Sequence, residues 1–166
     1  MTSILPFKPK THAVVGFYIK ENKILLGKRL ESSTNLGLDL YAGIGGKVEQ
    51  NEDSLQALER EFLEEIKAKP TKAIKIGQVS FVFLHKDKDS KWNMVVDVYK
   101  IEELDKKPMP TKAIEPVFFD INNLPYKNMW PDNFYWIHLV INGQNFTGEF
   151  VYQNAGKLKE LLVRLE

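Results

Sequence analysis

No cysteine occurs in the 166 residues, which excludes disulfides, thiolate catalysis and cysteine-ligated zinc. The absence suits a reducing compartment, and a cytoplasmic location is the expectation. Net charge is nearly absent too. The 23 Lys and Arg stand against 22 Asp and Glu, so +1 remains and no global attraction for nucleic acid or membrane. Any polyanionic ligand must be held locally, and long nucleic acid is not an expected partner. The longest apolar run, Ala13 to Ile19, is far too short to cross a bilayer. Met1 to Lys10 lacks a hydrophobic stretch of signal-peptide length. The three histidines, His12, His85 and His138, are scattered without ligand spacing.

What is present suffices for a core. With 43% hydrophobic residues and no repeat, low-complexity tract or linker, residues 1–166 read as one domain. His12 to Ile19 is β-branched and aromatic, a strand by composition, and Lys20 to Lys23 turns it into a returning strand at Ile24 to Gly27. Thr34 to Gly46 reads as a loop with glycines at 37, 43, 45 and 46. A helix is expected from about Asp53 to Ala68, with Asp53 or Ser54 as N-cap and Pro70 just beyond its end. Gln78 to Leu84 and Met94 to Ile101 read as a strand pair joined by a solvated tip, Lys86 to Lys91. A further strand lies near Val117 to Phe119, after the loop of Pro108 and Pro110. Leu158, Leu161, Leu162 and Leu165 follow helical spacing, which predicts a closing amphipathic helix. The order of strands and helices indicates an α+β fold layered around a mixed sheet.

The densest chemistry lies between Gly46 and Glu65. Glu52 follows Gly46 by six residues, and Arg60-Glu61 follows eight later, before Glu64-Glu65. On a helix, Glu61, Glu64 and Glu65 fall within roughly a quarter of the circumference. Leu55, Leu58, Phe62 and Ile66 form a separate apolar stripe about 100° away. Like charges so placed repel unless a cation sits among them, and Mg²⁺ prefers such oxygen ligands. Arg60 lies four residues before Glu64 and can pair with it. A solvated helix would also carry glutamates, but not the upstream Gly46 and Glu52 at these spacings.

The run Gly46-x5-Glu52-x7-Arg60-Glu61-Phe62-x-Glu64-Glu65-x-Lys67-Ala68 resembles the Nudix box of Nudix hydrolases. Lys67 is the departure: the family has glycine there, and a helix exit is the expected reason. The resemblance implies an α/β/α sandwich and hydrolysis of a nucleoside diphosphate linked to another moiety. Glu61, Glu64 and Glu65 would hold the metal with the Gly46 carbonyl, while Glu52 and Arg60 brace loop and helix. The implied cofactor is Mg²⁺, with Mn²⁺ as the alternative.

A second resemblance covers Pro125 to Asn133, Tyr135-Trp136 and Phe146-x-Gly148-x-Phe150, together with Gly77-Gln78-Val79-x-Phe81-x-Phe83. These segments are similar to MutT-related oxidised-purine nucleoside triphosphatases. By that likeness Trp130 stacks on the base, and Asp132 and Asn133 read its edge. Phe81, Phe83 and Met94 line the pocket, and Arg29 approaches the phosphates. Strand alternation buries one face in any case, so a core role for Phe81 and Phe83 is the competing reading.

Three departures from that subfamily stand out. Asn133 replaces the second of two adjacent aspartates, so a fixed amide stands where a carboxyl pair could share a proton. Ala42 replaces a base-binding asparagine, leaving Asn35 or Asp39 as candidate substitutes in a lengthened loop. Ala113 stands where the family often has a catalytic glutamate, and Glu115 is the candidate stand-in. The leading expectation is a Mg²⁺-dependent pyrophosphohydrolase converting a modified purine nucleoside triphosphate, such as 8-oxo-dGTP, to monophosphate and pyrophosphate. The alternatives are a Nudix hydrolase of a dinucleoside polyphosphate, sugar nucleotide or capped RNA, and a nucleotide-binding module without turnover. The oligomeric state is not indicated.

Overall fold

The computed structural model describes residues 2–30 and 40–166. Its first strand, β1 (Thr11–Lys20), returns through Glu21, at φ +58°, into β2 (Lys23–Arg29). Then come two short strands, β3 (Tyr41–Ala42) and β4 (Ile44–Lys47), where the glycine spacing predicts only loop. Helix α1 (Ser54–Ile66) leads to the long pair β5 (Pro70–Phe83) and β6 (Met94–Leu104), followed by β7 (Ile114–Asp120). A second helix, α2 (Asn133–Ile141), precedes the hairpin of β8 (Phe146–Asn154) and β9 (Lys157–Leu165).

Among the described residues the strands form one mixed sheet in the order β3-β2-β1-β6-β5-β8-β9, with β4 added to β1 and β7 to β2. β1 is the pivot. It runs parallel to β6 from Thr11 to Tyr18 and antiparallel to β4 from Ala13 to Gly16, and its end pairs with β2.

The two faces of this sheet carry two cores, because successive strand side chains point to opposite sides. On one face α1 buries Ala57, Leu58, Phe62 and Ile66 against Val14, Leu25, Ile44, Tyr99, Ile101 and Ile114. Each of the three larger helix side chains contributes about 1.5–3 kcal/mol by leaving water. The helix approaches β1 at Gly16, where a Cβ would lie 2.6 Å from Ile101 Cδ1 and 2.9 Å from Leu58 Cδ1. On the other face α2 buries Trp136, Ile137, Leu139 and Val140 with Phe17, Val79, Phe146 and Phe150. No helix among the described residues is long and apolar enough to cross a membrane.

Two expectations are corrected. Leu55 is 43% exposed, so the buried stripe of α1 begins at Ala57 and Leu58 rather than at Leu55. The closing helix is absent: residues 157–165 are β9, paired antiparallel with β8 from Asn154↔Lys157 to Phe146↔Leu165. Gly156, at φ +83°, turns the chain into this hairpin. Tyr152 pairs with Leu158 and Val151 with Glu160, so Lys159 is an extra, bulged residue. That extra residue breaks the period of two and leaves leucine spacing that imitates a helix.

Candidate active site

The exit of β4 and the start of α1 are clamped together by Arg60. Its Nη2 donates to Glu52 Oε1 at 2.7 Å and its Nε to Glu52 Oε2 at 3.0 Å. The same guanidinium reaches the Lys47 carbonyl at 3.0 Å, Glu61 Oε1 at 3.0 Å and Glu64 Oε2 at 3.3 Å. Glu52 also accepts the Glu49 backbone N–H at 2.7 Å, closing the loop ahead of the helix. Hydrogen bonding to Arg60, then to Glu49, holds the Glu52 carboxyl below its usual range, and Glu52 in turn holds Arg60 more firmly protonated. At the helix start Asp53 Oδ1 accepts Gln56 N–H and Gln56 Oε1 accepts Asp53 N–H, each at 2.8 Å.

Glu61 lies against Gly46 so closely that a Cβ there would stand 2.3 Å from Glu61 Oε1. Glu65 is next to it. Burial first, then the charge and hydrogen bond of Glu61, push the Glu65 carboxyl up to about 8, while Arg29 pulls it back. Glu64 is more exposed, at 59%, and pairs with Arg60.

A cleft of about 740 Å³ opens on the opposite face of the sheet. Its walls bring together Arg29, Phe81, Phe83, Met94, Trp130, Asp132 and Asn133, every residue that the second resemblance assigns to substrate. Phe81 is stacked on Phe150 at 5.7 Å, and the edge of Phe83 meets Trp130 at 5.8 Å. Gly46 and Arg29 belong to both regions: each lines the cleft, one touching Glu61 and the other lowering Glu65. The box glutamates are not on the cleft wall themselves, and Gly46 and Arg29 are what connect them to it.

Residues 10–140 match the NUDIX domain. The chain belongs to the Nudix family. It is 27% identical over 146 residues to the oxidized purine nucleoside triphosphate hydrolase of Mus musculus, spanning 88% of this chain and 89% of that protein. The protein of the same name from Danio rerio is 29% identical over 142 residues, 86% of each chain. The crystal structure of a MutT protein from Bacillus halodurans covers 93% of this chain and 97% of its own with a TM-score of 0.76. At 16% identity that likeness establishes the fold, an α/β/α sandwich around a mixed sheet.

Nudix hydrolases generally need divalent metal ions. Among the described residues no three His, Asp or Glu side chains are gathered as a ready cage. What the Nudix box does supply is a pair, Glu61 and Glu65, close enough that the charge of Glu61 opposes ionisation of Glu65. A divalent cation between the two carboxylates would offset that repulsion, so the donor set fits a hard ion.

Ala42 lines the cleft, but Asn35 and Asp39 lie outside the described residues. Glu115 is exposed on β7 opposite Lys28 and is not on the cleft wall. The wall also holds residues that escaped the sequence reading of the pocket, Lys91, Trp92, Trp136 and Tyr152 among them. Trp92 follows the charged tip directly, and an aromatic beside so polar a turn was the available signal. Its ring meets Phe83 at 5.2 Å and Trp130 at 6.2 Å, both edge-on. The turn is held by buried Asn93, whose amide donates to the Asp87 and Lys88 carbonyls and accepts the Phe83 N–H. Tyr152 extends the alternation Phe146, Gly148, Phe150 by one step, a signal that a strand reading of 146–154 would have supplied.

Proposed function

We propose that the chain is a Mg²⁺-dependent Nudix pyrophosphohydrolase acting on an oxidised purine nucleoside triphosphate. One water is added across the α–β phosphoanhydride, giving nucleoside monophosphate and pyrophosphate. The observation that carries the reading is the continuity between an aromatic cleft and the box carboxylates, joined at Gly46 and Arg29. The two curated relatives named above, aligned over most of the chain, support the substrate class.

The base would stack on Trp130, a contact worth about 1–3 kcal/mol for a nucleobase on an aromatic ring. Phe81, Phe83 and Met94 close the apolar wall, so the base leaves water as it enters. Asn133 and Asp132 stand at its edge. Arg29 meets the phosphates at the passage toward α1. Glu61 and Glu65, with Glu64 beside them, would hold the ion, which supplies charge neutralisation and an activated water. Arg60 and Glu52 keep the helix and the Gly46 strand in register so that these carboxylates stay converged.

Release of pyrophosphate, measured with Mg²⁺ across natural and 8-oxo purine triphosphates, tests the proposal. Pyrophosphate from an oxidised purine, abolished in Glu65→Gln, is the expected result. Turnover unchanged in Glu65→Gln would overturn the carboxylate assignment. No product from any triphosphate would overturn the substrate class.

A further inference from the structure

Asp132 occupies the N-cap position of α2, where an aspartate ordinarily accepts backbone N–H groups of the first turn. Here it makes no such bond. Its carboxylate is turned instead toward Tyr152 and Trp136. The Tyr152 hydroxyl donates to Oδ1 at 2.5 Å and accepts the Asp132 backbone N–H at 3.1 Å. Trp136 Nε1–H donates to Oδ2 at 2.8 Å. Both oxygens are thus engaged at a residue only 3% exposed.

The chemistry of the two donors decides what Asp132 can do. An indole N–H only donates, and the Tyr152 oxygen, already accepting a backbone N–H, has its proton left to give. A carboxylate flanked by two committed donors is an acceptor on its remaining lone pairs. Burial opposes ionisation and lifts the carboxyl to about 6, while the hydrogen bonds from Tyr152 and Trp136 favour the charged, accepting form. The next residue is oriented as well: Asn133 Nδ2 spends one of its two N–H groups on the Trp130 carbonyl at 3.0 Å, which fixes the amide plane and leaves Oδ1 to accept. Tyr152 supports the platform as well. Its ring is stacked on Phe83 at 4.9 Å and meets Trp130 edge-on at 5.4 Å.

We propose that Tyr152 is a positioning residue for base selection. It holds Asp132 as an acceptor which, with Asn133 Oδ1, takes a purine edge carrying two adjacent N–H donors. The inference rests on the proposal that a purine occupies this cleft. A guanine-type edge offers a ring N–H beside a 2-amino group; a hypoxanthine-type edge lacks the amino group.

The test compares 8-oxo-dGTP with 8-oxo-dITP on the full chain, and the two monophosphates by quenching of tryptophan fluorescence. One hydrogen bond in a closed site corresponds to about tenfold. The wild type is expected to favour the guanine forms by about that factor in kcat/KM and in Kd. Tyr152→Phe should bring both ratios near one, with the change falling on KM more than on kcat. Asp132→Asn, which places an amide donor at the same point, should also abolish the preference and serves as the second variant should Tyr152→Phe fold poorly. A preference kept by Tyr152→Phe alongside a uniform loss of activity would overturn the inference, as would equal kcat/KM in the wild type. Hydrolysis of both bases without preference defeats this inference and leaves the proposed function standing. Selective binding of 8-oxo-dGMP without hydrolysis does the reverse, and neither binding nor hydrolysis defeats both.

Discussion

Arg60 and Glu52 meet as a two-pronged pair across the junction of β4 and α1, Nε to Oε2 at 3.0 Å and Nη2 to Oε1 at 2.7 Å. The arginine also holds the Lys47 carbonyl, so one side chain ties the Gly46 segment to the helix bearing Glu61 and Glu65. Groups that orient metal ligands typically matter by 10–100-fold in metal affinity or activity. Glu52→Gln and Arg60→Ala should each lower kcat/KM by about that range. The double variant should lose scarcely more than Arg60→Ala alone. Steady-state kinetics on the four proteins, read as a double-mutant cycle, checks the coupling.

Lys67 takes the left-handed conformation, φ +59° and ψ +25°, and its N–H closes the helix on the Leu63 carbonyl. A β-carbon in that region costs about 1–2 kcal/mol, offset in part by the greater freedom of glycine in the unfolded chain. Lys67→Gly should therefore raise stability by about 1 kcal/mol, or about 2–4 °C in Tm for a chain of this size. Thermal unfolding followed by circular dichroism measures it, and turnover should be preserved.

Asp97 sits on β6, 3% exposed, bonded by His12 Nε2 at 2.7 Å, Lys75 Nζ at 2.9 Å and Gln78 Nε2 at 2.9 Å. Burial works to raise its pKa, but hydrogen bonds from Gln78, Lys75, His12 and Ser54 outweigh that and hold it at about 2. The folded-state value is depressed, so the stabilisation is full above about pH 4 and is lost as pH falls toward 2. Its size follows from the shift and is about 2 kcal/mol. Urea unfolding of wild type and Asp97→Asn at pH 7 and pH 2.5 should show the difference between them shrinking by most of that amount.

Gly46→Ala places a methyl carbon 2.3 Å from Glu61 Oε1 and 2.6 Å from Cδ, so the carboxylate must move. The expected outcome is a rise of at least about tenfold in the Mg²⁺ concentration giving half-maximal rate, in line with disturbed ligand support. Far-UV circular dichroism should stay unchanged. A Mg²⁺ titration of activity in both proteins provides the check.

The stretch from Gly46 to Glu65 was legible because its chemistry is local: helix spacing sets the carboxylates on one edge, and the capping residues delimit the helix. The cleft was half legible. Trp130, Asp132 and Asn133 announced themselves as a motif, whereas Tyr152 acquires meaning only when β8 brings it under α2, twenty residues away in sequence. α2 itself went unread because Asn133–Ile141 is apolar nearly all round and offers no 3.6 periodicity. The closing leucines misled for the opposite reason, since a bulge at Lys159 scrambled the strand pattern into one that resembles a helix. Long-range pairing settled both.

Side-chain alternation along β1 also separates two kinds of evolutionary freedom. Val14 and Gly16 back the α1 core, with Val14 also reaching the cleft wall, while Ala13, Val15 and Phe17 back the cleft. Under the proposed function, replacements on the cleft side would retune which base is accepted without disturbing the carboxylate helix, so base choice and hydrolysis would be separately adjustable. Gly46 and Arg29, which serve both sides, are where that independence ends.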